Sequence, residues 1–165
     1  MTEPQLYRSR SGADDIRAHL MACASTFTPP LDWRVVIPDY ATKLATCSER
    51  FEAWDGTALI GLVAVYCNDP IRATAFVTSV SIVPERTREG FGRRLLTAAI
   101  THVHSLGFAR IALSVDREAA ALALYHGLGF AEDTRNDRTL HLSLDLTAPC
   151  SGTRPNAEAA SRNRD

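Results

Sequence analysis

The densest group of residues that could do chemistry lies in a glycine-containing turn, Arg86 to Gly92, which precedes an amphipathic segment. Glycine lets the backbone turn tightly and approach a ligand closely. The free N–H groups at the start of the following helix, together with the helix dipole, form a site for an anion such as phosphate. Arg88, Arg93 and Arg94 join Arg86 in adding positive charge, and the guanidinium group matches the geometry of phosphate. The turn therefore predicts a phosphate site.

Two common nucleotide-binding loops fit this turn poorly. A Walker loop ends in Gly-Lys-Ser or Gly-Lys-Thr, and the turn contains no lysine. A Rossmann turn requires a third glycine or alanine after Gly90 and Gly92, and Leu95 occupies that position. The glycines can also serve only chain reversal and close helix packing, so on their own they leave a ligand site and a structural turn as alternatives.

A second chemical candidate is Tyr125, which lies near the end of a short helical segment and precedes Gly127, Gly129 and Phe130. A phenol can donate a proton to a departing thiolate, whose conjugate thiol has a pKa of roughly 8.5. The alternative is a core aromatic residue that packs beside Phe130. The two roles are compatible, because the ring can pack while the hydroxyl faces a site.

Taken together, the two segments resemble the two hallmark motifs of the GNAT N-acetyltransferase superfamily. The turn resembles its acyl-CoA-binding motif, Gln/Arg-x-x-Gly-x-Gly/Ala, and the stretch Val115 to Phe130 resembles its second motif, a short helix ending in Tyr and then Gly-Phe. Two positions depart from the pattern. Thr87 stands at the Gln/Arg position, and Glu118 stands where an asparagine is usual.

The resemblance implies acetyl-CoA as the co-substrate and no metal. Its diphosphate would lie on the backbone of residues 88–93, and its pantetheine arm would lie beside the preceding strand like an added strand. The residues that this assigns to the cofactor are Ile82, Val83, Arg88, Glu89, Gly90, Phe91, Gly92, Arg93 and Glu118. Glu118 stands at the position where the family usually has an asparagine. A backbone N–H near Ile82 would polarise the thioester carbonyl. Tyr125 would be the general acid.

The implied reaction is transfer of an acetyl group to a primary amine of a small molecule, such as an amino sugar, by direct attack. A protein or peptide acetyltransferase and a non-catalytic acyl-CoA sensor are the alternatives. Glu52 is a weak candidate for the general base, with a plain surface charge as the other interpretation. Water relayed through Thr78 or Ser79 is as plausible.

The acceptor side is expected in the loop Ser25 to Tyr40. The residues that suggest this are Phe27, Asp32, Trp33, Arg34 and Tyr40. An acid with aromatic residues would suit a cationic amine or the face of a sugar ring. A hydrophobic lid over the core is the alternative interpretation.

Hydrophobic periodicity predicts the elements that must position these residues. Helices are expected over Asp14–Ala24, from Pro38, after Gly92 and over Glu118–His126, with the first capped by Ser11. Strands are expected at Leu6–Arg8, around Phe51, and over Ala58–Cys67, Ala73–Val83, Ala109–Val115 and Thr139–Leu146. This order predicts a single-domain α/β fold with a mixed sheet of about six to seven strands flanked by helices. Strands joined by a helix are expected to pair in parallel. The resemblance further implies that the sheet is splayed between its fourth and fifth strands.

Length and composition limit the remaining choices. The chain has 165 residues, 45% hydrophobic and 22% charged, with a formal net charge of −1. This charge balance predicts no nucleic-acid partner. No apolar run approaches the roughly 20 residues of a membrane span, so a cytoplasmic protein is expected. A separate expectation is that the protein is a monomer or a homodimer. Cysteines lie far apart with no Cys-x-x-Cys pair, which argues against zinc. We expect one domain over residues 1–146 and a disordered polar tail over 147–165.

Overall fold

The computed structural model describes residues 3–27 and 29–147. Its sheet has seven strands in the order β1-β2-β3-β4-β5-β7-β6. The strands are β1 Gln5–Arg8, β2 Glu49–Asp55, β3 Ala58–Tyr66, β4 Thr74–Ile82, β5 Arg110–Asp116, β6 Ala131–Arg135 and β7 Thr139–Asp145. The α-helices are α1 Ala13–Cys23, α2 Ile37–Cys47, α3 Phe91–Ser105 and α4 Leu122–Gly127. Single 3₁₀ turns occupy Ala24–Thr26, Leu31–Trp33 and Pro84–Arg86.

The predicted fold class is confirmed, and so is parallel pairing across α3. Strands β1 to β4 are antiparallel neighbours, whereas β4 and β5, which α3 connects, are parallel. The expectation of parallel pairing across α4 is wrong. The strand β6 was not predicted, and it reverses the chain, so that β7 returns antiparallel to β5 and lies between β5 and β6.

Helices cover both faces of the sheet, and β3 shows why. Successive side chains of a strand point to opposite faces. Val63 and Val65 join the apolar cluster that contains the buried residues of α3, while Leu62 and Ala64 join the cluster formed by α1 and α2. Both faces of this central strand are therefore buried, which explains its unbroken apolar sequence.

A buried ion pair fastens the α1–α2 layer to the sheet. The Glu52 side chain is fully buried and accepts hydrogen bonds from the Ser11 N–H, the Trp54 Nε1–H and, at 3.3 Å, the Arg50 Nε–H. Arg50 also donates to the Leu44 carbonyl at the end of α2, over 2.9 Å. The interpretation of Glu52 as a surface charge is thus wrong.

The start of α1 also differs from the expected cap. Ser11 donates its hydroxyl to Glu52, and the helix begins instead after Gly12, whose N–H donates to the Asp15 carboxylate over 3.0 Å. The predicted cap residue is therefore part of the buried network. The predicted tail over 147–165 lies outside the described residues except for Thr147, and the division into domains stays a prediction.

Candidate active site

The sheet opens into a cleft between β4 and β5. The two strands pair only over Thr74–Val77 and Arg110–Leu113, although both continue beyond these residues. The splay between the fourth and fifth strands is therefore confirmed. The space between the diverging ends is a cleft of about 360 Å³. Main-chain and side-chain groups of both strands, of the segment before α4 and of the α1–α2 loop line it.

Strand β4 has a free backbone edge on the side where β5 has diverged. Its residues Val77 to Val80 line the cleft, whereas Ile82 and Val83 are not among the lining residues. The Val83 N–H donates to the Ile60 carbonyl over 2.9 Å, and the Val83 carbonyl accepts from the Arg86 N–H. Since main-chain groups alternate along an antiparallel ladder, the N–H and C=O of Ile82 and Val80 point away from β3, towards the open edge. Both main-chain groups of Val83 are used within the chain, so a strand-like ligand contact would fall on Ile82 and Val80.

The turn before α3 has a backbone conformation suited to an anion. Arg88 and Gly90 both have positive φ, 71° and 84°, and both are exposed. The first helical bond runs from the Arg94 N–H to the Gly90 carbonyl, so the N–H groups of Phe91, Gly92 and Arg93 have no acceptor within the helix. A Cβ on Gly90 would have no atom within 4 Å. The concave backbone is thus open to a ligand.

The arginines around the turn are not equivalent. Arg86 donates to Asp55 over 2.9 Å and to both oxygens of Glu89, and these bonds raise its pKa. Arg86 and the Glu89 carboxylate therefore brace the turn, which corrects the expectation that Arg86 adds free charge to the site. Arg88 and Arg93 are exposed, and neither has a carboxylate within 4.0 Å among residues 3–27 and 29–147.

Close helix packing explains two further glycines of the two motifs. A Cβ on Gly92 would lie 3.3 Å from Leu124 of α4, and a Cβ on Gly127 would lie 3.1 Å from an Arg93 guanidinium nitrogen. The two interpretations of the glycines, a ligand site and a structural role, therefore apply to different positions. Gly90 faces open space, and Gly92 and Gly127 let α3 and α4 approach each other.

Tyr125 lines the cleft from α4 and is only 6% exposed. Its ring packs edge-on against Phe130, with 6.1 Å between centroids. Burial raises the pKa of the phenol to about 12. The hydroxyl is therefore protonated at neutral pH, as a proton donor must be.

Asp116, rather than Glu118, is the carboxylate at the end of β5. Glu118 is exposed and does not line the cleft, and its N–H donates to Asp116 Oδ1 over 2.8 Å. Asp116 lines the cleft, and its other oxygen lies 3.5 Å from Arg138. Sequence reasoning missed Asp116, although its position directly after an apolar strand was a usable signal.

The α1–α2 loop contributes Phe27 and Arg34 to the cleft. Asp32 and Trp33 are exposed and are not among the lining residues. From α2, the Tyr40 hydroxyl donates to the Thr78 carbonyl over 2.9 Å. The loop therefore lies at the cleft as expected, but the charged side chain that it brings to the cleft is Arg34 and not the expected acid, Asp32.

A backbone irregularity marks the centre of the cleft. The β3–β4 register shifts between Ala64 and Val65, which leaves Thr78 as an extra residue on β4. The next residue, Ser79, is 4% exposed and lies beside the Tyr40 phenol, but its Oγ makes no hydrogen bond of good geometry within the described part of the chain. A buried hydroxyl without a partner is costly, so Ser79 favours a polar guest in the cleft.

Residues 3–27 and 29–147 contain neither a metal-binding group of side chains nor a membrane-spanning helix. No set of three or more His, Cys, Asp or Glu side chains is arranged to hold a metal ion. None of the helices there combines the length and apolar character that crossing a membrane requires.

The splayed sheet, the open β4 edge and the glycine turn define the acyltransferase class of protein. The chain belongs to the acetyltransferase (GNAT) family, whose model matches residues 13–130, so the predicted superfamily is confirmed.

Two curated proteins are similar to parts of this chain. Mycothiol acetyltransferase of Kocuria rhizophila is 42% identical over 55 residues, which are 33% of this chain and 18% of that protein. N-acetyltransferase family 8 member 7 of Mus musculus is 26% identical over 148 residues, 81% of this chain and 62% of that protein. The chain thus spans less than two thirds of either curated relative.

Solved structures share the fold at lower sequence identity. The protein yncA of Salmonella typhimurium, solved with its cofactor acetyl-CoA, superposes with a TM-score of 0.68 at 17% identity, covering 90% of this chain and 98% of that one. At this identity, the similarity describes the fold alone.

Proposed function

We propose that the protein transfers an acetyl group from acetyl-CoA to a primary amine of a small molecule, such as an amino sugar. The observation that carries this proposal is the continuity of the open β4 edge with the exposed turn before α3. An extended pantetheine arm could pair with the first while the second holds a diphosphate.

On this proposal, the backbone of residues 88–93 binds the diphosphate, and Arg88 and Arg93 supply mobile positive charge. The side chain of Phe91 is buried between the guanidinium groups of Arg86 and Arg94, with 5.8 and 5.7 Å from each to its ring centroid. Phe91 therefore contributes its N–H and the fixed start of α3. The assignment of Glu118 to the cofactor stays a prediction, and its exposed side chain is not among the residues that line the cleft.

Three groups of the chain would carry the chemistry. The Ile82 N–H donates to the thioester oxygen as negative charge develops there, a contact worth about 3–4 kcal/mol in the transition state. The amine nitrogen bonds to the acetyl carbon as the C–S bond breaks, and Tyr125 gives its proton to the departing sulfur. Water beside Ser79 takes the proton that the amine loses. Glu52 is excluded as the base because its oxygens are committed to the buried network.

The direct test is release of CoA from acetyl-CoA by the purified chain with a panel of primary amines, alongside thermal denaturation with and without acetyl-CoA. We expect stabilisation by acetyl-CoA and amine-dependent release. Stabilisation with no turnover of any amine would favour the acyl-CoA sensor, for which the scarcity of free carboxylates in the cleft is the supporting observation. Absence of stabilisation would contradict both.

Replacing Gly90 by valine should weaken acetyl-CoA binding by about tenfold or more, measured by calorimetry. The branched side chain would fill the open space at the turn, and a non-glycine residue at φ 84° costs about 1–2 kcal/mol of folding free energy.

Gly107→Val is the matched control for this variant. Gly107 also has positive φ, 89°, and open space at its Cβ position, but it follows the far end of α3. Both variants should lose similar stability, and only Gly90→Val should lose affinity. Equal affinity in the two variants would contradict binding at the turn.

A further inference from the structure

The charges that face the cleft indicate what the acceptor carries besides its amine. The charged lining residues are Arg34 and Asp116. Asp116 is engaged, since its oxygens accept from the Glu118 N–H and lie near Arg138, and its side chain is only 6% exposed. Arg34 has no carboxylate within 4.0 Å among residues 3–27 and 29–147. The acceptor end of the cleft therefore has an unneutralised positive charge.

The Arg34 guanidinium lies against an aromatic ring, although the residue is exposed. Its central carbon lies 5.8 Å from the centroid of the Phe27 ring, and both residues line the cleft. Contact with an aromatic face orients a guanidinium group and leaves its N–H donors free at the edge. An oriented guanidinium binds carboxylate and phosphate oxygens in pairs of parallel hydrogen bonds.

The charge of Arg34 also reaches Tyr40, the residue that bonds Thr78 in the cleft. Burial raises the pKa of the Tyr40 phenol, and the positive charge of Arg34 acts in the opposite direction. An acceptor with only ammonium groups would meet repulsion here and no free carboxylate.

We propose that the acceptor is a small amine that also carries an anionic group, a carboxylate or a phosphate, and that Arg34 binds this group. The proposal rests on the proposed function and narrows its substrate class. Arg34 holds the anion at the α1–α2 loop, which leaves the amine to reach the centre of the cleft beside Ser79.

Binding is tested first, so that the result does not depend on turnover. Protein saturated with CoA is titrated by calorimetry with matched pairs of amines, alanine against alaninamide and ethanolamine phosphate against ethanolamine. We expect the anionic member of at least one pair to bind about tenfold to a hundredfold more tightly, the range for hydrogen bonds to charged groups. The preferred pair identifies the anion as a carboxylate or a phosphate. Equal affinity within both pairs would overturn the proposal.

Variants assign the preference to Arg34. Arg34→Gln should abolish the difference within the preferred pair, Arg34→Lys should restore part of it, and Arg17→Gln, on the exposed face of α1, should leave it intact. If Arg34→Gln instead removes thermal stabilisation by acetyl-CoA, Arg34 binds a cofactor phosphate and the proposal is wrong. If the wild type binds anionic amines selectively but releases no CoA with any amine, the proposed reaction fails while the recognition by Arg34 stands.

Discussion

Replacing Tyr125 by phenylalanine lowers kcat by about 10²–10⁴-fold, the usual contribution of a positioned general acid. The ring should keep its edge contact with Phe130, so the fold and the affinity for acetyl-CoA should change little. Only the proton donor to the departing sulfur is lost. The measurement is kcat from CoA release at saturating amine, with acetyl-CoA affinity from calorimetry.

The pH profile sharpens this prediction. An ordinary tyrosine with a pKa of about 10 is half deprotonated at pH 10, whereas burial raises the pKa of Tyr125 to about 12. The phenol therefore stays protonated, and wild-type kcat should show no fall between pH 8 and 10 from loss of this acid. Tyr7→Phe, on the exposed edge strand β1, is the matched control. A Tyr125→Phe enzyme as active as Tyr7→Phe would remove Tyr125 from the mechanism.

Replacing Glu52 by alanine should lower the free energy of unfolding by about 3–5 kcal/mol, measured by urea denaturation. The change leaves the buried Arg50 charge without its carboxylate. It also removes the acceptor for the Ser11 N–H and for the Trp54 indole N–H. Each buried donor without an acceptor adds to the cost.

Glu132→Ala is the matched control because it breaks an ion pair of the same chemical type on the surface. Glu132 lies 2.9 Å from Arg135, with side chains 32% and 57% exposed. Exposed pairs contribute about 0–1 kcal/mol. Similar losses of unfolding free energy in the two variants would show that the Glu52 network does not hold the α1–α2 layer against the sheet.

Most helices and strands could be predicted from the sequence, because glycine positions and apolar runs depend on residues that are close together in the chain. Gly90 has the left-handed conformation that its place between strand and helix suggested, and apolar runs marked β3 and β4. The strand β6 was missed because every residue in it is exposed. Without a buried face, it shows no alternation, and it forms only through pairing with β7.

The site was less predictable where partners are distant in sequence. Arg86 seemed available for phosphate, and its bond to Asp55 depends on the β2–β3 hairpin reaching the turn. Glu52 seemed a surface charge, because its partner Ser11 lies 41 positions earlier in the chain. Single residues do not reveal such pairings, since they arise from the assembled sheet.

The short ladder between β4 and β5 has a mechanical consequence. The ladder over Thr74–Val77 and Arg110–Leu113, continued by the bond from the Ala109 N–H to the Arg72 carbonyl, joins the four strands on one side to the three on the other. Beyond this ladder, the two groups of strands are held together by packing against α3 and the hydrophobic cluster around it. A molecule hydrogen-bonded to the free main-chain groups of Ile82 would bridge β4 and β5 where the two strands diverge. Binding of a molecule in the cleft would thus make the connection between β1–β4 and β5–β7 more rigid.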